Sequence, residues 1–450
     1  CNLDWKLQEI ILAREKNKEN SQKSNRPKLE FGPFWLWGFP LLGFLIKLIV
    51  IANIPTHIWL GADGENYLKG VNALLQSGLY SKEGILQYFP AGYPILIFLF
   101  AKISVSNALV ILAIFQSMIF AWATWLLGKF LLSNNYRKIL PWLIFFITFN
   151  PTFSLASLAI GYESLVASAL LFSIIILFKI KQSNTLKTNF LSSMGFGLIS
   201  GFTSFLQPRY LATSLIILAY WIVKEFKIKL IAIKLLSAAL IVLMISPAAL
   251  MYRNQKATGK AFISNNLGVT MNVGAGPKST GGYTNKATGV TCPENVKTDN
   301  QRVLCVLKWY ATNPVQTVRL SFNKTLYFFS PWSGPMANGT MARNPWLKVN
   351  PVTQIAKSPG GWGLVYGWFG KLTSWIWEIA QIGLLIWGFI WLRRQAGELR
   401  QIATISGLVV AISWLVSVGT IGDHRFRVPV MGFMLCLLYT SDAADDTPCV

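Results

Sequence analysis

Apolar side chains fall in long runs along this chain, and polar ones gather in the links between them. The runs lie near 34–54, 107–131, 139–157, 160–180, 190–206, 208–224, 229–250, 373–392, 401–419 and 426–435. Several approach the roughly 20 residues that carry a helix across a bilayer. Little of the strict alternation of a membrane barrel strand is visible. The pattern predicts an all-α polytopic membrane protein with about 10 transmembrane helices and two external loop regions. With 53% hydrophobic and 13% charged residues, the composition excludes a soluble globule.

The links sort by charge. Asn134 to Lys138, Lys179 to Lys187, Lys224 to Lys229 and Arg393-Arg394 are basic, as cytosolic links are. Asn150 to Ser164, Gln207-Pro208-Arg209, residues 251–372 and Gly422 to Arg427 then share the opposite, outer face. Residues 34–250 form a transmembrane core with a first external loop at 55–106, 251–372 form a large external region, and 373–435 form the last spans. Tyr93 to Ile103 is too short to cross and is expected to pack at the outer leaflet. Around Glu65–Gln76, Tyr67, Val71, Leu74 and Leu75 recur at helical spacing. Asn300 to Thr312 and Pro314 to Tyr327 also read as helices, inside a loop too long to be idle.

The net charge of +23 fits this topology, because Lys and Arg sit mostly in the short links. No basic helix with interleaved aromatics occurs, so nucleic acid is not an expected partner. Residues 1–33 lack the apolar core of a signal peptide and read as a cytosolic tail, with Phe34 to Ile54 as an uncleaved anchor. Cys436-Leu-Leu-Tyr-Thr-Ser-Asp-Ala-Ala-Asp-Asp446 reads as a translated sequencing adapter, so residues 436–450 are set aside as an artefact. The alternative is a natural span ending in an acidic tail. On the adapter reading, the native chain continues past Leu435. Cys292 and Cys305 share one loop; they pair if it faces an oxidising compartment and otherwise stay as two thiols.

Acidic and basic residues at the outer ends of the spans are the candidates for chemistry. Asp63 and Glu65 follow the first apolar run, and Gly64 between them permits a turn that faces both into one pocket. A partly desolvated carboxylate there can act as general base toward a hydroxyl, or Asp63 can simply cap the helix that follows. Glu163 lies at the outer end of the fourth span, where an acid is either functional or a partnered structural residue. Arg209, Arg253 and Arg425 gather on the same face, and the planar guanidinium suits phosphate. Each alone can equally snorkel at the interface. Gly274 to Gly282 can approach a phosphate but lacks a nucleotide-binding pattern. Trp309, Trp332 and Trp346 fit an interfacial belt or a sugar platform. The two histidines, His57 and His424, do not make a zinc site.

Asp63 with Tyr67, then Leu74-Leu-Gln-Ser-Gly-Leu-Tyr-Ser81 and Tyr88-Phe-Pro-Ala-Gly-Tyr-Pro94, resembles the first external loop of the glycosyltransferase C superfamily. Arg253-Asn254 through Gly268 and Asp423-His-Arg-Phe-Arg-Val-Pro429 resemble the same group. Its nearest members are bacterial proteins similar to dolichyl-phosphate-mannose–protein mannosyltransferase and the lipid A aminoarabinose transferase. The resemblance runs over about residues 34–435 by topology and motif order.

It implies a transferase of the plasma membrane with active loops outside. The donor is a polyprenyl-phosphate sugar, the acceptor a lipid, glycan or protein hydroxyl, and the anomeric centre is inverted. Asp63 inherits the base, or a metal ligand with Glu163 if a divalent metal is used, and Glu163 is the second acid. Glu65 stands with the catalytic group, and Tyr67, Tyr93, Arg209, Arg253, Asn254 and Arg425 with substrate binding.

Two departures stand out. Gly64 separates the two acids that protein mannosyltransferases hold adjacent, and Phe89-Pro-Ala-Gly92 replaces the Lys-Pro-Pro of the lipid A enzymes. A lipid-glycan flippase is the rival, though transporters favour midplane sites and inverted repeats. A glycan polymerase or ligase would differ mainly in acceptor.

Overall fold

The apolar runs become helices because a backbone in lipid must satisfy its own hydrogen bonds. The computed structural model describes residues 33–53, 63–133, 140–282, 289–330, 367–394 and 397–439. Among them every regular element is helical, apart from one isolated bridge between Gly282 and Gly422. The expected cytosolic tail, His57, Trp332, Trp346 and the adapter-like residues from 440 onward lie outside the described residues.

In chain order, α1 (Phe34–Asn53) leads to the first loop helices α2 (Gly64–Ser77), α3 (Ile85–Tyr88) and α4 (Gly92–Ile103). Then come α5 (Ala108–Ser133), α6 (Leu140–Phe149), α7 (Pro151–Leu155), α8 (Glu163–Leu177), α9 (Leu186–Leu206), α10 (Tyr210–Glu225) and α11 (Lys229–Thr258). The second loop region carries α12 (Leu267–Val273), α13 (Asp299–Thr312) and α14 (Pro314–Phe328). Last are α15 (Gly367–Arg394), α16 (Gly397–Gly419) and α17 (Met431–Tyr439), the final two joined by two short 3-10 turns at His424–Phe426 and Val428–Val430.

Among the described residues, four helices are long and apolar enough to cross a membrane: Phe34–Asn53, Ala108–Ser133, Lys229–Thr258 and Leu399–Gly419. The chain is therefore an all-helical membrane protein. Other runs form shorter helices. Asn150 ends α6 and caps α7, its side chain accepting from Phe153 N at 2.9 Å, so the run at 139–157 is broken in two. Conversely, α11 continues eight residues past the apolar run and stops at Gly259, whose φ of 79° closes the helix. Arg253 and Asn254 thus sit on a helix, not in the loop expected to start at 251.

Small residues set the helix spacing. Gly197 and Gly201 of α9 lie one turn apart against the backbone of Ala239 and Leu243 on α11, and a Cβ at Gly201 would stand 3.0 Å from the Leu243 carbonyl oxygen. This is the small-xxx-small contact that lets membrane helices approach closely. One main cluster of buried side chains joins α1, α4 to α6, α8 to α11, α15 and α16 to the turns before α17. Lys47 of α1 is buried within it, its ammonium 4.3 Å from the centre of the Phe120 ring.

The second loop region has its own small core of Met271, Ala275, Val290 and Val306, flanked by Trp309 and Tyr310. Cys292 and Cys305 are disulfide-bonded across it. Thr298 opens α13 with a capping box that includes Gln301. The helices expected at 300–312 and 314–327 are α13 and α14.

Candidate functional site

Asp63 occupies the residue before α2, where a cap would sit, yet its side chain makes no capping bond. It turns away to receive Arg425 Nη2 at 2.6 Å. The two residues are 362 positions apart in sequence. Arg425 Nε also stands 3.4 Å from Glu163 Oε1, and Nη2 lies 3.4 Å from the Tyr162 hydroxyl. One guanidinium therefore bridges the carboxylates at the starts of α2 and α8, both of which also meet positive helix N-termini. The Asp63 side chain is 21% exposed, against 4% for Glu163. Asp63 is the carboxylate that an incoming group can reach.

Local structure fixes each partner. Asp423 accepts from Arg425 N at 3.0 Å and stands 3.0 Å from His424 Nδ1, which folds the 3-10 turn and aims the Arg425 side chain back toward the helices. Burial pushes the Asp423 carboxyl above its ordinary range, with Arg425 opposing. For Arg425, burial opposes the charge, but Asp63, Tyr162 and Glu163 outweigh it and hold the group above its ordinary value. Behind Glu163, Tyr93 Oη donates to Gln116 Oε1 at 3.0 Å and accepts from Gly161 N at 2.8 Å. Gln116 Nε2 in turn donates to the carbonyls of Ser157 and Ala159. These bonds pin the turn before α8. A Cβ at Gly161 would meet Glu163 Oε2, so the carboxylate lies directly against this turn. That oxygen is buried and has no hydrogen-bond partner among the described residues.

Tyr67 completes the floor. It is buried, its ring centroid 5.0 Å from that of Tyr93, and burial followed by Asp63 raises its hydroxyl well above the usual range. Arg209, at the break between α9 and α10, stacks over Phe426 with its guanidinium carbon 3.5 Å from the ring centre. Its Nε and Nη1 are shielded and meet no acceptor among the described residues, a state that native structures usually relieve with a further group.

The structure leaves three expected residues outside this cluster. Glu65 points into solvent and pairs with Lys69 one turn on, at 2.8 Å; two residues apart on a helix, its side chain diverges from that of Asp63. Arg253 is spent on backbone. It donates to the carbonyls of Leu79 at 3.0 Å, Leu86 at 3.3 Å and Ser81 at 2.5 Å, and to Asn254 Oδ1 at 2.7 Å. Asn254 Nδ2 donates to the carbonyls of Phe262 and Ile263. Both residues clamp α11 to the first loop and to the segment after Gly259, and these bonds all go to protein. The Gly274–Gly282 stretch likewise docks on protein: Gly281 O accepts from Gly422 N at 2.9 Å.

Other residues of the neighbourhood had weaker sequence signals. Tyr162 was visible only as a neighbour of Glu163. Glu378 on α15 forms a buried ion pair with Arg427, two residues beyond Arg425, and its signal was a carboxylate alone in an apolar run. Lys324 of α14 is buried and donates from Nζ to Tyr310 Oη at 2.9 Å and to the carbonyls of Val418 and Thr420 at 2.9 and 2.8 Å. It caps the C-terminal end of α16 immediately before the Asp423 turn.

A divalent metal between Asp63 and Glu163 does not fit this arrangement. The Arg425 guanidinium already stands between them, and among the described residues no three His, Cys, Asp or Glu side chains converge as ligands. An open apolar groove of about 500 Å³ is lined by side chains of α5, α8, α9 and α11, including Phe115, Leu165, Phe172, Phe202 and Ala249.

No protein-family model matches the sequence, and no curated protein matches it. The fold is similar to the crystal structure of ArnT from Cupriavidus metallidurans in the apo state. The alignment covers 90% of this chain and 77% of that one, at 12% identity and a TM-score of 0.34. A TM-score that low carries no argument, so the functional reading rests on the residues themselves.

Proposed function

We propose that this protein is a membrane glycosyltransferase that moves a sugar from a polyprenyl-phosphate donor to a hydroxyl acceptor at the outer leaflet. The observation that carries this reading is the reachable Asp63 carboxylate, held by Arg425 against Glu163. The acceptor hydroxyl gives its proton to Asp63 while its oxygen attacks the anomeric carbon from the side opposite the phosphate. The bond from that carbon to the phosphate oxygen breaks, and its electron pair leaves with the polyprenyl phosphate. One displacement inverts the anomeric centre.

In this scheme Arg425 orients the base and Glu163 holds Arg425. Arg209, half-buried at the break between α9 and α10, receives the departing phosphate, where charge develops in the transition state. Arg253 has no part in phosphate binding, and no step needs a metal.

The topology supports the sidedness. The links after α5, α8 and α10 are basic, whereas Asp63, Glu163, Arg209 and Arg425 lie at the opposite helix ends. The disulfide between Cys292 and Cys305 fits an oxidising compartment on that side. The ten-crossing scheme and the bacterial plasma membrane belong to this proposal.

The test is release of polyprenyl phosphate from labelled polyprenyl-phosphate hexoses in proteoliposomes supplied with lipid, glycan and peptide acceptors. Transfer by the wild type and its loss in Asp63→Asn support the reading. Undiminished transfer by Asp63→Asn removes the base from it.

A further inference from the structure

Helix α14 carries two apolar faces. Leu320, Lys324 and Phe328, four residues apart, are buried against the rest of the protein. Val315, Val318, Phe322 and Leu326 recur at spacings of three and four on the opposite side and are 82%, 70%, 64% and 46% exposed. A helix apolar on both sides needs apolar material on both. A contiguous stripe of this kind marks a membrane or partner contact.

The position of α14 names the occupant. Lys324 grips the last carbonyls of α16, a helix long and apolar enough to span. A turn further back along α16, Trp414 Nε1 donates to Thr325 Oγ1 at 3.0 Å. Phe328 ends in the main buried cluster. The C-terminal half of α14 therefore runs against the end of a spanning helix. Leu415, beside Trp414, is 56% exposed on that helix, as a lipid-facing side chain of a span is.

Charge agrees with a lipid neighbour. Between Pro314 and Phe328 there is no acidic residue, and Arg319 flanks the stripe. Lys308 and Arg302 on the preceding helix add positive charge, while Asp299 there is engaged by Gly268 N at 2.9 Å. Long basic side chains beside an apolar stripe reach for lipid phosphates.

We infer that α14 is an in-plane membrane helix, its Val315–Leu326 stripe seated in the acyl region of the leaflet at the C-terminal end of α16. Arg319 and Lys308 meet the headgroups. The second loop region is then not a free external domain. Lipid holds one side of α14, and Lys324 ties the other to the turn that carries Arg425. This inference does not depend on the transfer reaction.

Nitroxide accessibility tests it on the full chain in lipid nanodiscs, with Cys1, Cys436 and Cys449 replaced by Ser and the disulfide retained. Single labels are placed at Phe322→Cys, at Leu326→Cys, and at the exposed Glu294→Cys as a water-facing reference. The ratio of collisions with oxygen to collisions with a water-soluble nickel chelate should be severalfold higher at 322 and 326 than at 294. Equal ratios would put the stripe in water and overturn the inference. Protection from both quenchers would mean that protein, such as a second copy of this chain, covers the stripe, and would overturn it equally.

Discussion

Replacing Arg425 with Met removes the cation from between two carboxylates and keeps a side chain of similar reach. The loss is unequal for the two partners. Asp63, 21% exposed, can turn its carboxylate to water, and an exposed pair is worth about 0–1 kcal/mol. Glu163, 4% exposed, has no such escape, and one of its oxygens already lacks a partner. Removing one member of a buried pair costs about 3–5 kcal/mol because a charge is left uncompensated. Arg425→Met should therefore destabilise by about 3–4 kcal/mol, nearly all of it through Glu163. Adding Glu163→Gln and Asp63→Asn takes away the stranded charges and should recover about 2 kcal/mol or more. Reversible unfolding in mixed micelles, followed by tryptophan fluorescence, measures both variants. A loss below about 1 kcal/mol for Arg425→Met, or a triple variant less stable than the single one, would refute the bridging role.

Other substitutions separate scaffold from site. Arg253→Ala strands three backbone carbonyls and should cost about 3–5 kcal/mol in the same unfolding measurement. Near full occupancy in a stabilised preparation, it should leave binding of a polyprenyl phosphate within about twofold, as a scaffold residue would. Glu65→Gln breaks an exposed pair worth about 0.3–0.5 kcal/mol and should change neither stability nor transfer measurably. Burial lowers the Lys324 ammonium to about 7 from its ordinary 10.5. Between those values the unfolded chain holds a proton that the folded protein has released, so stability should rise with pH across that window. The rise should be absent in Lys324→Met when unfolding is repeated from pH 7 to pH 10.5. The neutral amine can still donate to Val418 and Thr420 while accepting from the Tyr310 hydroxyl, so the cap survives deprotonation.

How much was legible depends on whether a feature is local. Helices α2, α13 and α14 follow from the residue pattern within their own segments, and the helical membrane class follows from the apolar runs. The end of α11 was not legible from hydropathy. A polar extension that stays helical to Gly259 looks like a loop when apolarity alone marks the helix. That misplacement turned Arg253 into an apparent phosphate ligand, although its donors serve the backbone at 79–86. Asp63 and Glu65 looked paired in sequence, yet the first precedes α2 and the second lies on it, so they part. The bridge from Arg425 to Asp63 joins residues 362 positions apart, and no local pattern encodes it. Shared sidedness and the resemblance grouped Asp63, Glu163, Arg209, Arg253 and Arg425 alike; the structure joins Asp63, Glu163 and Arg425 and sets Arg253 apart.

In the proposed function, Asp63 takes a proton from an acceptor hydroxyl during sugar transfer from a polyprenyl phosphate. The direct measurement is the single-turnover rate of polyprenyl-phosphate release in proteoliposomes, for the wild type and for Asp63→Asn at saturating donor. Loss of a positioned base removes about 10²–10⁴-fold in rate. A fall of that size is expected, with donor binding retained through Arg209. A rate within about threefold of wild type would contradict it.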